Sequence, residues 1–359
     1  MEYNKVRKIK KEAFFSESHG LFTMRYHHWL RSALLLVLCL VLLCGCSESS
    51  KPVKGTKEEM TVVGTCDGYE IYYEELRYLV LAHKDIMENY YGEGIWDDAA
   101  TAAQHLPELR ETVLENLKAN YAVMSVADTF GISIEDEAIT KAVQSMIDAT
   151  VSEFGSRKQY LAALEEMYLT DHLVRFTYAT SICQEEMIYA MKDLDLIIDN
   201  ELDFLDYAYA DGFCAVYHIY IENDEGDDID ANRSKAEEVR DMLLGGTDIK
   251  QLIGSAYNED VYLVGTDPYY FTRGEYDERY EEAAFGLKIG GVSEVVETED
   301  GFYVLVRQEL DQNYLVKNVQ ELKQRYEYVQ VEELVDECRD LLTVELNEYG
   351  QSLDFLAIK

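Results

Sequence analysis

A chain of 359 residues, 48% of them hydrophobic, can bury more than one core and is not a disordered tail. Its formal charge is −38; the first 45 positions hold seven basic and three acidic residues, a net +4, so the remainder carries −42. Such a surface repels nucleic acid and anionic headgroups, which excludes DNA or RNA as partner and leaves solubility, or attraction for basic polypeptides, as the meaning of the charge.

Arg25, His27, His28 and Arg31 precede the apolar run Leu34 to Leu43, which is short for a membrane span. This is the n-region and h-region order of an export signal, with a short uncleaved anchor helix as the alternative. The run ends in Leu43-Cys44-Gly45-Cys46, followed by Ser47-Glu48-Ser49-Ser50. A small residue directly before a cysteine resembles a bacterial lipoprotein signal. The resemblance implies that residues 1–45 are removed, that Cys46 carries the lipid, and that the protein is anchored at the extracytoplasmic face of the cell membrane. Residues 1–23 are long for an n-region, which leaves Met24 as an alternative start. Of seven cysteines, Cys66, Cys183, Cys214 and Cys338 remain beyond Cys46, widely spaced and without a Cys-x-x-Cys. Zinc and thioredoxin-like chemistry have no support, disulfide pairing stays open, and no metal or cofactor is expected.

Residues 46–60 read as a polar tether. Thr61-Val62-Val63 predicts a short strand, with a turn at Cys66-Asp67-Gly68. Tyr72, Leu76, Leu79, Val80, His83, Met87 and Tyr90 mark one face of a helix ending near Gly92, with His83 packed on that face. Pro107 is expected in the first turn of a long helix that closes at Phe130-Gly131. Ser133 is a candidate cap for the next helix, and Phe154-Gly155-Ser156 ends that one and caps another. A last helix opens at Leu169-Thr170-Asp171. Asp193 to Gly212 reads as an acidic connection.

Phe213 to Tyr220 predicts a strand carrying His218. Ser234 to Leu244 and Asp248 to Tyr257 predict helices, and the loop between strand and helix, Glu222 to Asp230, fails the calcium-loop pattern. Tyr276, Tyr280, Ala284 and Leu287 recur at helical spacing, and Gly290-Gly291 is expected to stop that helix. Val292, Val295 and Val296 begin an extended segment, Asp300-Gly301 is a hairpin turn signal, and Phe302 to Val306 is the strand behind it. After residue 310, Val319, Leu322, Tyr326, Val329, Leu334 and Cys338 continue as a long helix.

Two stretches, Gly-Ile-Ser-Ile-Glu-Asp-Glu-Ala-Ile (131–139) and Phe-Gly-Ser-Arg-Lys-Gln-Tyr-Leu-Ala-Ala-Leu (154–164), resemble the N-terminal chaperone module of SurA- and PrsA-type foldases. Residues 213–308 resemble a parvulin, or PpiC-type, peptidyl-prolyl isomerase: Tyr217-His218-Ile219-Tyr220, then Ser234-Lys235-Ala236 through Gly246, then Arg273-Gly274, Tyr280-Glu281, Ala284-Phe285, Gly290, Ser293 and Gly301. The resemblance implies an α+β chain: a helical chaperone module over 61–200, a parvulin-like α/β domain over 213–310, and a C-terminal helix over 311–359 packing back on the first module. It implies a proline pocket at Phe271, Tyr276, Tyr280 and Phe285, with His218, Asp260 and Tyr303 at the catalytic positions. Tyr303 stands where the family usually carries a second histidine, Tyr276 where it carries Met and Tyr280 where it carries Phe. The Gly-Gly-x-Leu-Gly turn is reduced to Gly265-Thr266-Asp267-Pro268-Tyr269. For each tyrosine the alternative is ordinary domain core. The implied partners are unfolded or newly exported polypeptides with X-Pro bonds. Two functions stay open, an active isomerase foldase and a binding chaperone whose isomerase-like domain is weak or inactive. A solute-binding lipoprotein lacks the repeated strand–helix alternation it would need.

Overall fold

The computed structural model describes residues 51–53, 55–223, 228–260, 267–298 and 300–359; the expected leader and Cys46 lie outside the described residues. Its elements in chain order are β1 (Val62–Cys66), β2 (Tyr69–Tyr72), α1 (Tyr73–Tyr91), α2 (Ala99–Thr129), α3 (Glu137–Glu153), α4 (Arg157–Glu166), α5 (Asp171–Asp193), α6 (Glu201–Tyr207), β3 (Phe213–Glu222), α7 (Ile229–Leu244), α8 (Ile249–Ile253), β4 (Tyr269–Thr272), α9 (Glu278–Gly286), β5 (Val296–Glu297), β6 (Gly301–Gln308), α10 (Gln312–Lys317), α11 (Val319–Leu341), β7 (Val344–Leu346) and α12 (Glu348–Ser352). The chain forms two units: one holds the described residues up to Ala190 together with Leu334–Lys359, the other Met191–Glu333. Among the described residues no helix is long and apolar enough to cross a membrane.

In the first unit β1 and β2 form a hairpin through Asp67 (φ 48°) and Gly68 (φ 85°), the two positive-φ positions that a tight two-residue turn requires. Leu76, Val80 and Met87 of α1 and Leu109, Val113, Leu117 and Tyr121 of α2 bury the facing stripes of the two helices against Val63, Ile71 and Phe355. Helix α2 starts two turns before the position expected from Pro107. Asp98 accepts from Ala100 N and Thr101 N, and the alanine-rich run behind this cap carries the helix through the proline. Ser133 does not cap a helix. Its amide bonds Asp136 Oδ2 at 3.0 Å and its hydroxyl accepts from Glu135 N, so the chain turns once more before α3 begins at Glu137. Ser156 caps α4 by accepting from Gln159 N.

Residues 311–359, expected as a C-terminal helix, hold two helices, a strand and a final short helix. The strand β7 pairs antiparallel with β1, giving a three-stranded sheet in the order β2-β1-β7. Gly64 admits it: a Cβ there would lie 2.6 Å from Glu345 O.

The second unit is a four-stranded antiparallel sheet in the order β4-β3-β6-β5, with Tyr220 directly opposite Tyr303 and Val216 opposite Tyr269. Helices α7 and α8 cover one face through Ala236, Val239, Leu243 and Leu252 against Ile219, Ile221 and Val304. Helix α9 covers the other, against Cys214, Val216, Phe271 and Leu305. Covered on both sides, β3 reads as a continuous run of aromatic and branched residues rather than an alternation. The acidic connection hides a further helix, α6, capped by Asn200, whose Phe204 is fully buried against Phe213, Tyr207 and Tyr326. Helix α8 is shorter than the expected 248–257, and α9 ends at Gly286, before Gly290-Gly291. Tyr276 lies in the turn preceding α9, not on it.

Burial sets one pH dependence in the first unit. His83 is 2% exposed in α1, and burial lowers its pKa from 6.5 to about 4. The unfolded chain therefore binds the proton first. This contribution to stability is complete above pH 6.5 and is lost as pH falls toward 4, by up to about 3 kcal/mol. Urea unfolding of the parent and of His83→Leu at pH 7 and at pH 4.5 is expected to show a smaller acid loss in the variant; an equal loss would refute the assignment.

Candidate active site

His218 stands on β3, the central strand flanked by β4 and β6, with its side chain on the face covered by α9 and only 5% exposed. A polar ring in that position needs both nitrogens satisfied. Nδ1 lies 2.8 Å from Tyr280 Oη, and Nε2 lies 3.0 Å from Asp260 Oδ2. The same Asp260 oxygen accepts from Tyr269 Oη at 2.7 Å. A carboxylate only accepts, so Nε2 carries a proton and donates to Asp260, while Nδ1 and the Tyr280 hydroxyl share the second bond. Burial raises the Tyr280 phenol well above 10, so it stays protonated, and burial likewise raises Tyr269 and Tyr303 and pushes Tyr276 up to about 12. The result is one chain of hydrogen bonds, Tyr280 to His218 to Asp260, with Tyr269 closing on its acidic end.

Aromatic rings fix the imidazole from three sides. Tyr269 stacks on it at 4.8 Å and 13°, while Tyr280 and Tyr303 meet it edge-on at 5.8 Å and 5.2 Å. Tyr303 is itself stacked on its cross-strand partner Tyr220 at 4.6 Å. Asp260 reaches the ring because the segment before it is pinned along β3: Asn258 Oδ1 accepts from Tyr220 N, and Glu259 N donates to Tyr220 O.

The expected pocket residues divide into two levels. Phe271 (0% exposed) and Tyr280 (1%) form a buried floor, so neither offers its ring to a ligand as expected from the sequence. Half-buried Tyr276 and Phe285 stand on that floor: Tyr276 stacks on Tyr280 at 5.0 Å, and Phe285 meets Phe271 edge-on at 5.7 Å. Phe285 is held between two cations, with the Arg273 guanidinium 4.2 Å and that of Arg307 5.4 Å from its ring centre. Among the described residues no protein group hydrogen-bonds the hydroxyl of Tyr276 or Tyr303, whereas those of Tyr269 and Tyr280 are both committed.

Sequence reasoning gave no structural role to four residues that hold this arrangement: Tyr269, Gly274, Glu281 and Arg307. Tyr269 fell in the shortened turn; its register opposite Val216, two residues before His218, was the available signal. Glu281, 6% exposed, accepts from the backbone N–H groups of Gly274, Glu275 and Tyr276 at 2.8–2.9 Å and so fixes the turn that aims Tyr276. Gly274 in that turn has φ 89°, and a Cβ there would lie 2.6 Å from Val329 Cγ1. Arg307 donates to Ala284 O and ties the end of α9 to β6. Among the described residues no group of three or more His, Cys, Asp or Glu side chains is placed to hold a metal ion, and the four described cysteines are free.

Comparison with known proteins agrees with this reading. A family described as a SurA-like N-terminal domain matches residues 21–188, and one described as a PPIC-type PPIase domain matches residues 218–309. The chain thus contains a parvulin-type peptidyl-prolyl isomerase domain and a SurA-like N-terminal domain. The two matches, with the relatives that follow, support a PrsA/SurA-type parvulin foldase. It is 23% identical to the foldase protein PrsA of Caldanaerobacter subterraneus subsp. tengcongensis over 76% of this chain and 79% of that one. It is 24% identical to PrsA of Halalkalibacterium halodurans over 81% and 75%. The crystal structure of the peptidylprolyl isomerase PrsA from Bacillus anthracis is 16% identical, covering 63% of this chain and 96% of that one at a TM-score of 0.36.

Replacing Tyr280 by Phe keeps the packing and leaves His218 Nδ1 buried without its partner. The expected result is a loss of about 1–2 kcal/mol in urea unfolding and changed chemical shifts of the His218 ring nitrogens by NMR. A variant as stable as the parent, with an unaltered His218 signal, would show that the bond is not formed in solution.

Proposed function

We propose that the chain is an extracytoplasmic foldase, anchored through a lipid on Cys46, that isomerises X-Pro bonds of newly exported polypeptides at the His218 cleft. The observation that carries the catalytic part is the hydrogen-bonded chain Tyr280–His218–Asp260 beneath the half-buried rings of Tyr276, Phe285 and Tyr303. The anchoring part rests on the Leu34–Leu43 run and the Gly45-Cys46 junction of the sequence.

Rotation about an X-Pro amide faces a barrier of about 20 kcal/mol because the C–N bond is partly double, and lowering it needs no covalent step. The proline ring rests against Tyr276 and Phe285 with little water between. As the amide twists, conjugation is lost and charge shifts on its oxygen and nitrogen. Donors held rigidly around that position favour the twisted form over the planar one. The Tyr276 and Tyr303 hydroxyls, uncommitted among the described residues, serve the peptide oxygen. His218, held through both ring nitrogens, supplies a fixed wall beside the peptide.

That commitment of both His218 nitrogens, with Tyr303 in place of a second histidine, also favours the second reading, a binding chaperone with a weak isomerase domain. A proline-peptide isomerisation assay separates the two. The active reading expects His218→Ala to lower kcat/KM by about tenfold or more, a change of roughly 1.4 kcal/mol in transition-state stabilisation, and Phe285→Ala to act mainly through KM. A parent rate no faster than that of His218→Ala removes catalysis and leaves the chaperone. For the anchor, Cys46→Ala is expected to shift the protein from the membrane to the soluble extracytoplasmic fraction; an unchanged distribution would rule out the lipid.

A further inference from the structure

The helical unit holds a cavity that isomerase chemistry does not use. Its volume is about 280 Å³, between the β2–α1 corner and helices α2 and α5, and Tyr69, Tyr72, Tyr121, Phe176, Glu74 and Glu75 line it. Pockets for whole small molecules typically run from roughly 300 to 1,000 Å³, so this one suits a single long side chain. Its walls are a continuous aromatic surface: Tyr69 stacks on Tyr121 at 6.2 Å, and Tyr121 meets Phe176 at 5.9 Å.

Two adjacent carboxylates at the head of α1 supply the polar part. Glu74 is 1% exposed, with its oxygens on Thr170 Oγ1 and His172 Nδ1. Glu75 is 6% exposed and is held by neutral donors alone, Tyr72 N at 3.0 Å and Tyr121 Oη at 2.7 Å. Among the described residues no lysine or arginine lines the cavity, and the one basic side chain that does, His172, is engaged by Glu74. Burial pushes the Glu75 carboxyl up to about 7, with the neighbouring Glu74 adding to the rise and its two hydrogen-bond donors and His172 opposing it.

A carboxylate set among ring faces, with Met124 and Ile134 also on the wall, complements a cation on an apolar stem. The rings attract a guanidinium or ammonium through their quadrupoles, the carboxylate pairs with it, and the methylenes lie along the apolar wall. Charge complementarity extends to the chain as a whole, at −38. An acidic occupant meets two carboxylates, and a purely apolar one leaves Glu75 as it is.

We propose that this cavity is a subsite for an arginine or lysine side chain of a bound unfolded polypeptide. It takes from the foldase reading only that the ligand is a polypeptide, and it adds a preference for a cationic residue that recognition of proline does not contain. Clients would then be held through two chemically different features of their sequence, each read by a different unit.

The test uses the full chain and a fluorescent, proline-free nonapeptide with one central arginine among serines and leucines, against the same peptide with neutral citrulline. Measuring anisotropy at about 0.3 M salt screens the acidic surface. The intact chain is expected to prefer the arginine peptide by about tenfold, and Glu75→Gln to reduce that preference below about twofold with proline isomerisation unchanged, the coupling between ligand charge and Glu75 that a double-mutant cycle reads. Phe176→Ala, which keeps every carboxylate, is expected to weaken the arginine peptide more than the citrulline one and serves if Glu75→Gln does not fold. Equal affinity for the two peptides, or the same preference in the parent and both variants, overturns the proposal. The probe contains no proline, so its result stands whether or not the His218 cleft is active.

Discussion

Satisfying a buried imidazole governs the isomerase unit. His218 sits on the central strand of a sheet covered on both faces, where an unpaired ring nitrogen costs more than a typical apolar contact returns. Tyr280 from α9, Asp260 from the segment after α8, and Tyr269 from β4 converge on it from three separate parts of the chain. Once those bonds are made, the strand, the covering helix and the loop beside them are held in one arrangement. The same bonds fix the ring's orientation, so packing and hydrogen bonding at His218 are one requirement.

Above that floor the chemistry is that of surfaces and fixed dipoles. Phe285 is clamped by Arg273 and Arg307, Tyr276 is aimed by the turn that Glu281 ties down, and Tyr303 is stacked on its cross-strand neighbour. These are preorganised groups with little freedom left to lose on binding, which suits a reaction whose barrier is conjugation rather than bond cleavage. The helical unit uses another polar strategy. It buries carboxylates beside aromatic rings at a helix start and satisfies Glu75 with uncharged donors. One unit thus presents apolar rings with neutral donors, and the other an acid among rings.

Much of the secondary structure was legible because its causes are local. The run around His218 reads as a doubly buried strand, Asp300-Gly301 as a turn, and Ser156 as a helix cap, each from neighbours a few residues away. The errors have local causes too. Pro107 looked like a helix start because a proline is best tolerated there, but Asp98 and the alanines behind it outweigh that preference. Ser133 had the chemistry of a cap and spent it on a turn. Phe204 was overlooked among acids because one buried ring gives no period.

The sequence by itself determined the composition of the site and the order of its parts: a histidine on an apolar strand, an acid some forty residues later, then an aromatic helix and a hairpin. It also determined the export-like start, since hydropathy and a cysteine junction are read along the chain. Only the tertiary structure decided which of the site's rings are fully buried and which are half-buried, because burial depends on what covers a residue, not on the residue. It decided that Tyr269, in a degraded turn, stacks on His218, and that the end of the chain returns to the first sheet, where Asn347 bonds Val62 across 285 positions. Periodicity tells a side chain to turn inward; the partner it meets there depends on contacts between segments far apart in sequence, for which a local pattern carries no information.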